Sequence, residues 1–225
     1  MQLYIGNKNY SSWSLRPWLL MTQAGIAFEE KRLRLDWTDD SPFKRSLLAL
    51  APTGRVPLLI DDGFAVWDSL AIAEYLAERF PDKRLWPADR LQRARARCLC
   101  AEMHSGFGTL RTLFPMNVEA DLREHGPRQL AEHPDGGRDL ARLDAMWDEA
   151  LGLSDGPFLF GEFGIVDAYF APICSRAATY GLPLGPRASA YAERIRALPA
   201  FTAWAEAARA EHDWIADDEP YRTQP

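Results

Sequence analysis

The segment from Thr53 to Trp67 constrains this chain most, because a proline opens a short apolar run within it. Val56-Pro57 precedes Leu58-Leu59-Ile60, and a residue without an N–H is tolerated in a sheet mainly at an edge or at a strand start. An X-Pro bond in such a place is a candidate cis peptide; a trans bond at an edge strand is the alternative. Asp61-Asp62-Gly63 then predicts a turn, and Phe64 to Trp67 predicts a second strand.

Asp68 and Ser69 follow this strand pair at the point where a helical period begins with Leu70, Ile72 and Leu76. A helix start attracts anions through its free N–H groups and its dipole. Next to a strand whose backbone turns outward, it predicts a pocket for a peptide-like, acidic ligand. The alternative role for Asp68-Ser69 is a plain N-cap.

Composition excludes several classes of function. The formal net charge of −6 over 225 residues argues against a nucleic-acid surface. No apolar run is long enough to span a bilayer, and the N-terminus lacks the pattern of a signal peptide, so we expect a cytoplasmic protein without a membrane partner. Cys98, Cys100 and Cys174 form no C-x-x-C pair, which suits a reducing compartment. The histidines show no metal-ligand spacing, so we expect no metal.

The first 80 residues predict a small mixed sheet with helices on it, in the order β-α-β and then β-β-α. Strands are expected at Leu3–Ile5 and over 28–35. A helix outlined from Leu15 should stop at Gly25, with a serine N-cap and Pro17 near its first turn. A further helix should run from Ser41 to about residue 52.

From residue 81 onward the predicted secondary structure changes. We expect residues 81–88 to be a linker and 89–215 to be an all-helical domain. The helical patterns cover 89–113, 122–151 with an interruption at 133–137, 164–180, 188–198 and 199–212. No strand signal occurs among them. Residues 216–225 are polar and are expected to lie on the surface.

Four motifs occur in one order along nearly the whole chain, and together they resemble the cytosolic glutathione transferases, in particular the serine-type zeta class. They are Tyr10-Ser11-Ser12-Trp13-Ser14, Arg55-Val56-Pro57, Asp68-Ser69 and Gly164-Ile165-Val166-Asp167-Ala168. The resemblance implies an α/β thioredoxin-like N-terminal domain followed by an all-α C-terminal domain. It also implies a homodimer that uses glutathione as cosubstrate or cofactor.

The resemblance implies a role for each element of the pocket. The backbone of Val56 beside Pro57 would pair with the cysteinyl unit of glutathione, as an added strand does, with Arg55 and Trp13 nearby. Ser69 would hold the γ-glutamyl carboxylate at the helix start. Asp68 would face the ammonium group.

Thiol activation is the chemistry that the resemblance implies. A free thiol has a pKa of about 8.5, and a hydroxyl donor plus a helix start favours the thiolate. Ser11 falls on the family's catalytic serine, Ser12 is the second candidate, and Tyr10 is a weaker third. The alternative is that Ser11, Ser12 and Ser14 only compete as helix caps. Trp13 stands where the zeta motif has cysteine, which removes cysteine-based thiol exchange from this loop.

The second substrate is expected between the domains. Met103, Phe107 and Arg111 share a face of the long helix predicted over 89–113, and His104 lies beside it. An apolar wall with one cation suggests an electrophile that carries a carboxylate; ordinary helix packing is the alternative. Zeta isomerases use an arginine where this chain has Thr179, with Arg176 nearly one turn earlier.

The expected activity is therefore a transferase that activates glutathione for attack on a small electrophile. Two alternatives stay open: a glutathione-dependent cis–trans isomerase, and a non-catalytic binding or regulatory protein on the same fold. Asp167 is assigned to folding, because it lies where a helix N-terminus needs an acceptor.

Overall fold

A computed structural model describes residues 1–224, and its first part is a four-stranded mixed sheet with three helices. The strands are β1 (Gln2–Ile5), β2 (Glu29–Arg32), β3 (Leu58–Asp61) and β4 (Phe64–Trp67), in the spatial order β2-β1-β3-β4. Strand β1 pairs parallel with β2 and antiparallel with β3, and β3 pairs antiparallel with β4. The helices are α1 (Ser12–Gln23), α2 (Pro42–Leu48) and α3 (Ser69–Arg79). This arrangement confirms the thioredoxin-like prediction.

The regular secondary structure of the remaining described residues is helical, apart from one isolated bridge between Phe158 and Gly161. The helices are α4 (Arg90–Ser105), α5 (Gly108–Leu113), α6 (His125–Glu132), α7 (Pro134–Leu153), α8 (Ile165–Tyr180), α9 (Pro186–Arg196) and α10 (Pro199–Ala210). Single 3-10 turns occur at Pro81–Lys83 and Ala216–Asp218. Up to residue 224, none of these helices has the length and apolar character that crossing a bilayer requires.

The expectation of one helix over 89–113 is wrong. Helix α4 ends at Ser105, and Phe107 takes a left-handed conformation with φ +54° before α5 begins. Gly106 makes this break possible, because a Cβ there would lie 2.7 Å from the carbonyl oxygen of Glu102. Met103, Phe107 and Arg111 therefore do not share one helix face.

Two smaller expectations also need correction. Pro17 lies inside α1, as its sixth residue, rather than in the first turn, so the helix gives up one backbone hydrogen bond there. The interruption expected at 133–137 is confined to His133, and α7 runs on through Gly136 and Gly137.

One hydrophobic core joins the two parts of the chain. Helix α8 is buried along nearly its whole length and packs against α1, so Leu15 and Leu19 lie in the same cluster as Phe170 and Ile173. The start of α8 is held by Asp167, whose carboxylate is buried. Its oxygens accept from the N–H of Gly164 and the hydroxyl of Tyr191, both at 2.9 Å, and from the N–H of Leu159 at 3.2 Å.

The segment after residue 215 does not simply lie on the surface, as the sequence suggested. Glu219 is only 4% exposed, and its Oε1 accepts from the Tyr10 hydroxyl at 2.8 Å and from Asn117 Nδ2 at 2.8 Å. Tyr221 donates its hydroxyl to the carbonyl of Leu113. The segment is therefore docked against the loop before α1 and against the end of α5; Pro225 lies outside the described residues.

Candidate active site

A cleft of about 850 Å³ lies between the sheet domain and the helical part of the chain. The sheet domain contributes the loop before β3, the end of β4 and the starts of α1 and α3; the helical part contributes His104 and Arg111. Its lining residues are Trp13, Trp37, Asp39, Asp40, Lys44, Leu48, Thr53, Gly54, Arg55, Val56, Pro57, Trp67, Asp68, Ser69, His104 and Arg111. The binding residues that the sequence suggested in the N-terminal part thus come together around one space.

The Val56-Pro57 peptide bond is cis, as the sequence indicated. Pro57 immediately precedes β3 and lies in the wall of the cleft beside Arg55. Val56 thus lies just before the start of β3, in the wall of the cleft, where an extended peptide ligand can reach its backbone.

Asp68 caps α3, and its Oδ1 accepts from the N–H groups of Leu70 at 2.8 Å and Ala71 at 3.4 Å. It does so with φ +74°, a conformation uncommon outside glycine. The other carboxylate oxygen, Oδ2, lies 3.4 Å from Nε2 of His104. The plain capping role and a position in the cleft are thus combined in one residue, whose side chain is 44% exposed.

Ser69 is almost fully buried, and its hydroxyl lies 2.9 Å from the hydroxyl of Tyr169. That tyrosine comes from α8, and its oxygen is also 2.7 Å from Nδ1 of His104 on α4. Burial raises the pKa of Tyr169 to about 12, so this hydroxyl keeps its proton at neutral pH.

The start of α1 is arranged differently. Ser11 occupies the N-cap position, but its side chain makes no capping bond. Its Oγ instead lies 2.7 Å from Oγ of Ser14, which also accepts from the N–H of Gly6 at 3.1 Å. The first N–H groups of α1 are therefore left without a side-chain acceptor, which is the condition for binding an anion there.

The other hydroxyls near this loop are placed as follows. Ser12 is partly exposed, while Tyr10 points away from the cleft and is bonded to Glu219. Burial raises the pKa of Tyr10 to about 12. Neither Ser11 nor Ser12 is among the lining residues of the cleft, and Trp13 is the residue of this segment that reaches it.

The ring of Trp13 is in contact with two arginine side chains and a histidine. The Arg16 guanidinium carbon lies 4.0 Å from the ring centroid of Trp13 and 4.3 Å from that of Tyr169. Arg111 approaches Trp13 at 5.4 Å, and the His104 ring meets it edge-on at 5.2 Å. Burial lowers the pKa of Arg16 to about 10 and also lowers that of Arg111, and both stay charged at neutral pH.

Comparisons with known proteins agree with this geometry. Residues 10–79 match the family model described as "Glutathione S-transferase, N-terminal domain". The maleylacetoacetate isomerase of Pseudomonas aeruginosa is 30% identical over 210 residues, covering 89% of this chain and 93% of that protein. The chain belongs to the glutathione transferase family.

Two further relatives are similar to this chain. A crystal structure of a glutathione transferase homolog from Burkholderia gl BGR1, with bound glutathione, is 28% identical, with a TM-score of 0.68, and the match covers 93% of this chain and 98% of that one. A stringent starvation protein A homolog of Coxiella burnetii is 26% identical over 190 residues, covering 84% of this chain and 81% of that protein.

Two residues suggested for the electrophile do not line the cleft. Met103 is fully buried and Phe107 is 6% exposed, both within the main core. The break after Ser105 explains this, because it turns Arg111 toward the cleft and leaves the apolar side chains inside. Met103 and Phe107 thus serve ordinary helix packing, the alternative that the sequence left open, whereas His104 and Arg111 do line the cleft.

The helix α8 positions named for an isomerase arginine also lie outside the cleft. Thr179 donates its hydroxyl to the carbonyl of Asn117 at 2.7 Å. Arg176 is buried, and its Nε donates to the carbonyl of Phe114 at 2.6 Å.

Several functional candidates were missed by sequence reasoning. Tyr169 follows the start of α8 without any motif of its own, and Ser14 was considered only as a helix cap. Arg16 had a weak signal, since it lies three residues after Trp13 on one helix face. No such signal exists for Trp37, Lys44 and Trp67, because only the fold brings these residues to the cleft.

Proposed function

We propose that this protein is a glutathione-dependent enzyme that ionises the thiol of glutathione beside the start of α1 and adds it to a small electrophile bearing a carboxylate. The observation that carries the proposal is the single cleft. It joins the backbone of Val56, the start of α3 and Trp13 on one side with His104 and Arg111 on the other.

Glutathione would bind in three places. Its cysteinyl backbone would pair with Val56, its γ-glutamyl ammonium would meet the exposed oxygen of Asp68, and its γ-glutamyl carboxylate would lie at the N–H of Ser69. Trp13 and Arg55 would flank the ligand, and its sulfur would point toward the uncapped start of α1.

Ser11 is the proposed hydroxyl donor to the sulfur. Without ligand it donates to Ser14, but two hydroxyls 2.7 Å apart can exchange roles by rotating about their C–O bonds. Ser14 would then donate to Ser11 while still accepting from Gly6, and Ser11 would donate to the thiolate. The chain Gly6 to Ser14 to Ser11 would favour the ionised sulfur, with Ser12 as the rival donor.

Arg111 is the proposed binding group for the electrophile. It enters the cleft from α5 beside Trp13, and its Nε has no hydrogen-bond partner among residues 1–224. A half-buried guanidinium with an unused donor suits a carboxylate, which accepts two parallel hydrogen bonds.

Isomerisation is a second candidate reaction on the same site. It is favoured by the relative named maleylacetoacetate isomerase, because addition of the thiolate, rotation and elimination would return glutathione unchanged. Conjugation and isomerisation share the first step, and they differ in whether glutathione is consumed.

A non-catalytic binding protein is the third candidate. It is favoured by the stringent starvation protein A homolog, whose name states no glutathione chemistry, and by the position of Ser11 behind the lining of the cleft. In that case the cleft would bind glutathione without turnover, or bind none.

A glutathione titration tests the proposal, with tryptophan fluorescence as the signal and a Trp13→Phe variant as the control for the reporter. We expect saturable quenching in the native protein and a much smaller change in the variant. Absence of binding at millimolar glutathione would overturn the enzyme proposal. Measuring free glutathione before and after turnover of candidate electrophiles then separates conjugation from isomerisation.

A further inference from the structure

The hydroxyl of Ser69 lies at one end of a chain of hydrogen bonds that crosses from the sheet domain into the helical part. Ser69 Oγ is 2.9 Å from the Tyr169 hydroxyl, which is 2.7 Å from Nδ1 of His104. Nε2 of His104 lies 3.4 Å from Oδ2 of Asp68. Hydrogen bonds thus join Ser69 to His104, and an ion-pair contact leads from His104 to Asp68, so the chain begins and ends at the start of α3, on the wall of the cleft.

The charge at Asp68 fixes the direction of this chain. An ionised carboxylate repels a lone pair, so in a neutral His104 the nitrogen that faces Asp68, Nε2, carries the hydrogen and Nδ1 is the acceptor. Tyr169 then donates to Nδ1, which uses its one hydrogen. The contact between Ser69 and Tyr169 consequently has Ser69 as its donor.

This direction limits what Ser69 can offer to a ligand. Its hydrogen is given to Tyr169, so only its oxygen lone pairs remain for the cleft. Those lone pairs can accept from an ammonium group, but they repel a carboxylate, which then has only the backbone N–H of Ser69 to bind.

We propose that His104 and Tyr169 are positioning residues that set the hydrogen-bond direction of Ser69 and so make binding of the γ-glutamyl end of glutathione dependent on the charge of His104. The inference rests on the proposed binding of glutathione. A proton taken from solvent by Nδ1 turns His104 into a donor to Tyr169. Tyr169 then donates to Ser69, and the Ser69 hydrogen is released to bind the carboxylate.

The charged and titratable groups around His104 come from each element packed against it. Asp68 at the start of α3 is the carboxylate that faces it, and the cations nearby are Arg16 of α1, stacked on Tyr169, and Arg111 of α5, beside Trp13. Tyr169 of α8 contacts it directly. On its own helix the thiol of Cys100 is buried, and burial raises its pKa, so it stays neutral.

The test is calorimetric titration with S-methylglutathione between about pH 5.5 and 7, a range in which histidine side chains change charge. This probe has no thiol, so ionisation of the sulfur does not contribute. In the native protein we expect the affinity to rise by about threefold to fivefold toward the acidic end, the effect of about one added hydrogen bond. In Tyr169→Phe the Ser69 hydrogen is free at every pH, so the affinity should not change with pH.

The Tyr169→Phe variant also separates the relay from simple attraction. If the charge on His104 acted on the ligand directly, the pH dependence would persist without the tyrosine hydroxyl, and the inference would be overturned. His104→Phe, on a partly exposed helix position, is the second variant. It leaves Tyr169 with Ser69 as its partner, so its affinity should stay at the acidic value throughout.

A measurement without ligand tests the direction itself. Nitrogen chemical shifts of the imidazole of His104 at neutral pH should indicate the tautomer with hydrogen on Nε2, and hydrogen on Nδ1 would contradict the inference. No binding of the probe at any pH would overturn the proposed glutathione site and this inference with it. Binding with equal pH dependence in native protein and Tyr169→Phe would overturn the inference alone.

Discussion

Two serine hydroxyls stand beside two helix starts next to the same cleft, and they differ in what lies behind them. Ser11 at the start of α1 is backed by Ser14 and the N–H of Gly6, which are neutral groups. Ser69 at the start of α3 is backed by Tyr169 and His104, a chain that ends at the carboxylate of Asp68.

The difference teaches which hydroxyl is free to donate to an anion. The chain behind Ser11 contains no charge, so its two hydroxyls can reverse when a thiolate arrives. The chain behind Ser69 is held in one direction by Asp68 as long as His104 is neutral. The two helix starts also differ in their caps. Asp68 accepts hydrogen bonds from two N–H groups of α3, whereas α1 has no side-chain cap.

The start of α8 is assigned to folding alone, which makes it the reference for the two helix starts beside the cleft. The largest effect of any proposed substitution is expected there. Asp167→Ala should lower the free energy of unfolding by about 3 kcal/mol, because it leaves two buried N–H groups and the Tyr191 hydroxyl without an acceptor. Urea unfolding measures this loss.

Asp89→Ala is the matched control for that variant. Asp89 caps α4 at the surface through the N–H groups of Leu91 and Gln92, and water can replace it there. Its loss should cost about 1 kcal/mol. Equal losses for the two variants would contradict the structural role assigned to buried Asp167.

Ser11→Ala should lower turnover by about 100-fold, the typical effect of removing one donor to a developing or stabilised anion. The affinity for glutathione should change little, because the rest of the ligand is held elsewhere in the cleft. Steady-state kinetics with saturating glutathione measures the change, and Ser12→Ala, expected within about threefold of native turnover, is the control. A larger loss for the Ser12 variant would transfer the role to that residue.

Ser14→Ala tests the neutral chain at the start of α1, because it keeps the Ser11 hydroxyl and removes only the hydroxyl that is hydrogen-bonded to it. We expect turnover to fall by about tenfold, since Ser11 would lose the partner that polarises and orients it. The loss should lie between those of the Ser11 and Ser12 variants in the same assay. Native turnover in this variant would show that the chain behind Ser11 plays no part.

Arg111→Gln should have the smallest effect, and only on the electrophile. For a substrate with a carboxylate we expect KM to rise by about fivefold, with kcat nearly unchanged, because a charge-assisted hydrogen bond is lost. A neutral electrophile of similar size is the control and should be unaffected. An equal rise for both substrates would assign Arg111 to packing around Trp13.

The sequence predicted those parts of the site that are built from adjacent residues. The cis bond at Val56-Pro57 is signalled by proline, and this prediction is confirmed. The capping role, which the sequence left as the alternative for Asp68, is signalled by a local acceptor and is also observed. The break after Ser105 was missed because helical periodicity continues through Gly106. The docking of Glu219 was missed because a polar tail gives no sign of buried partners more than 100 residues away.

Tyr169 illustrates the remaining gap. It lies on a helix that is buried almost throughout, so nothing in the local sequence distinguishes it from the core residues around it. Its hydroxyl reaches Ser69 and His104 only because α8 packs against both α1 and α4. Contacts between residues far apart in the sequence depend on how the helices pack, and a single sequence does not predict them.

The most direct test of the account is the pKa of the glutathione thiol in the complex, followed by the ultraviolet absorbance of the thiolate as pH is raised. The account predicts that the thiol titrates well below its free value of about 8.5, and that Ser11→Ala returns it most of the way toward that value. A bound thiol that titrates like free glutathione, in both native protein and variant, would contradict the central claim that the start of α1 stabilises the thiolate.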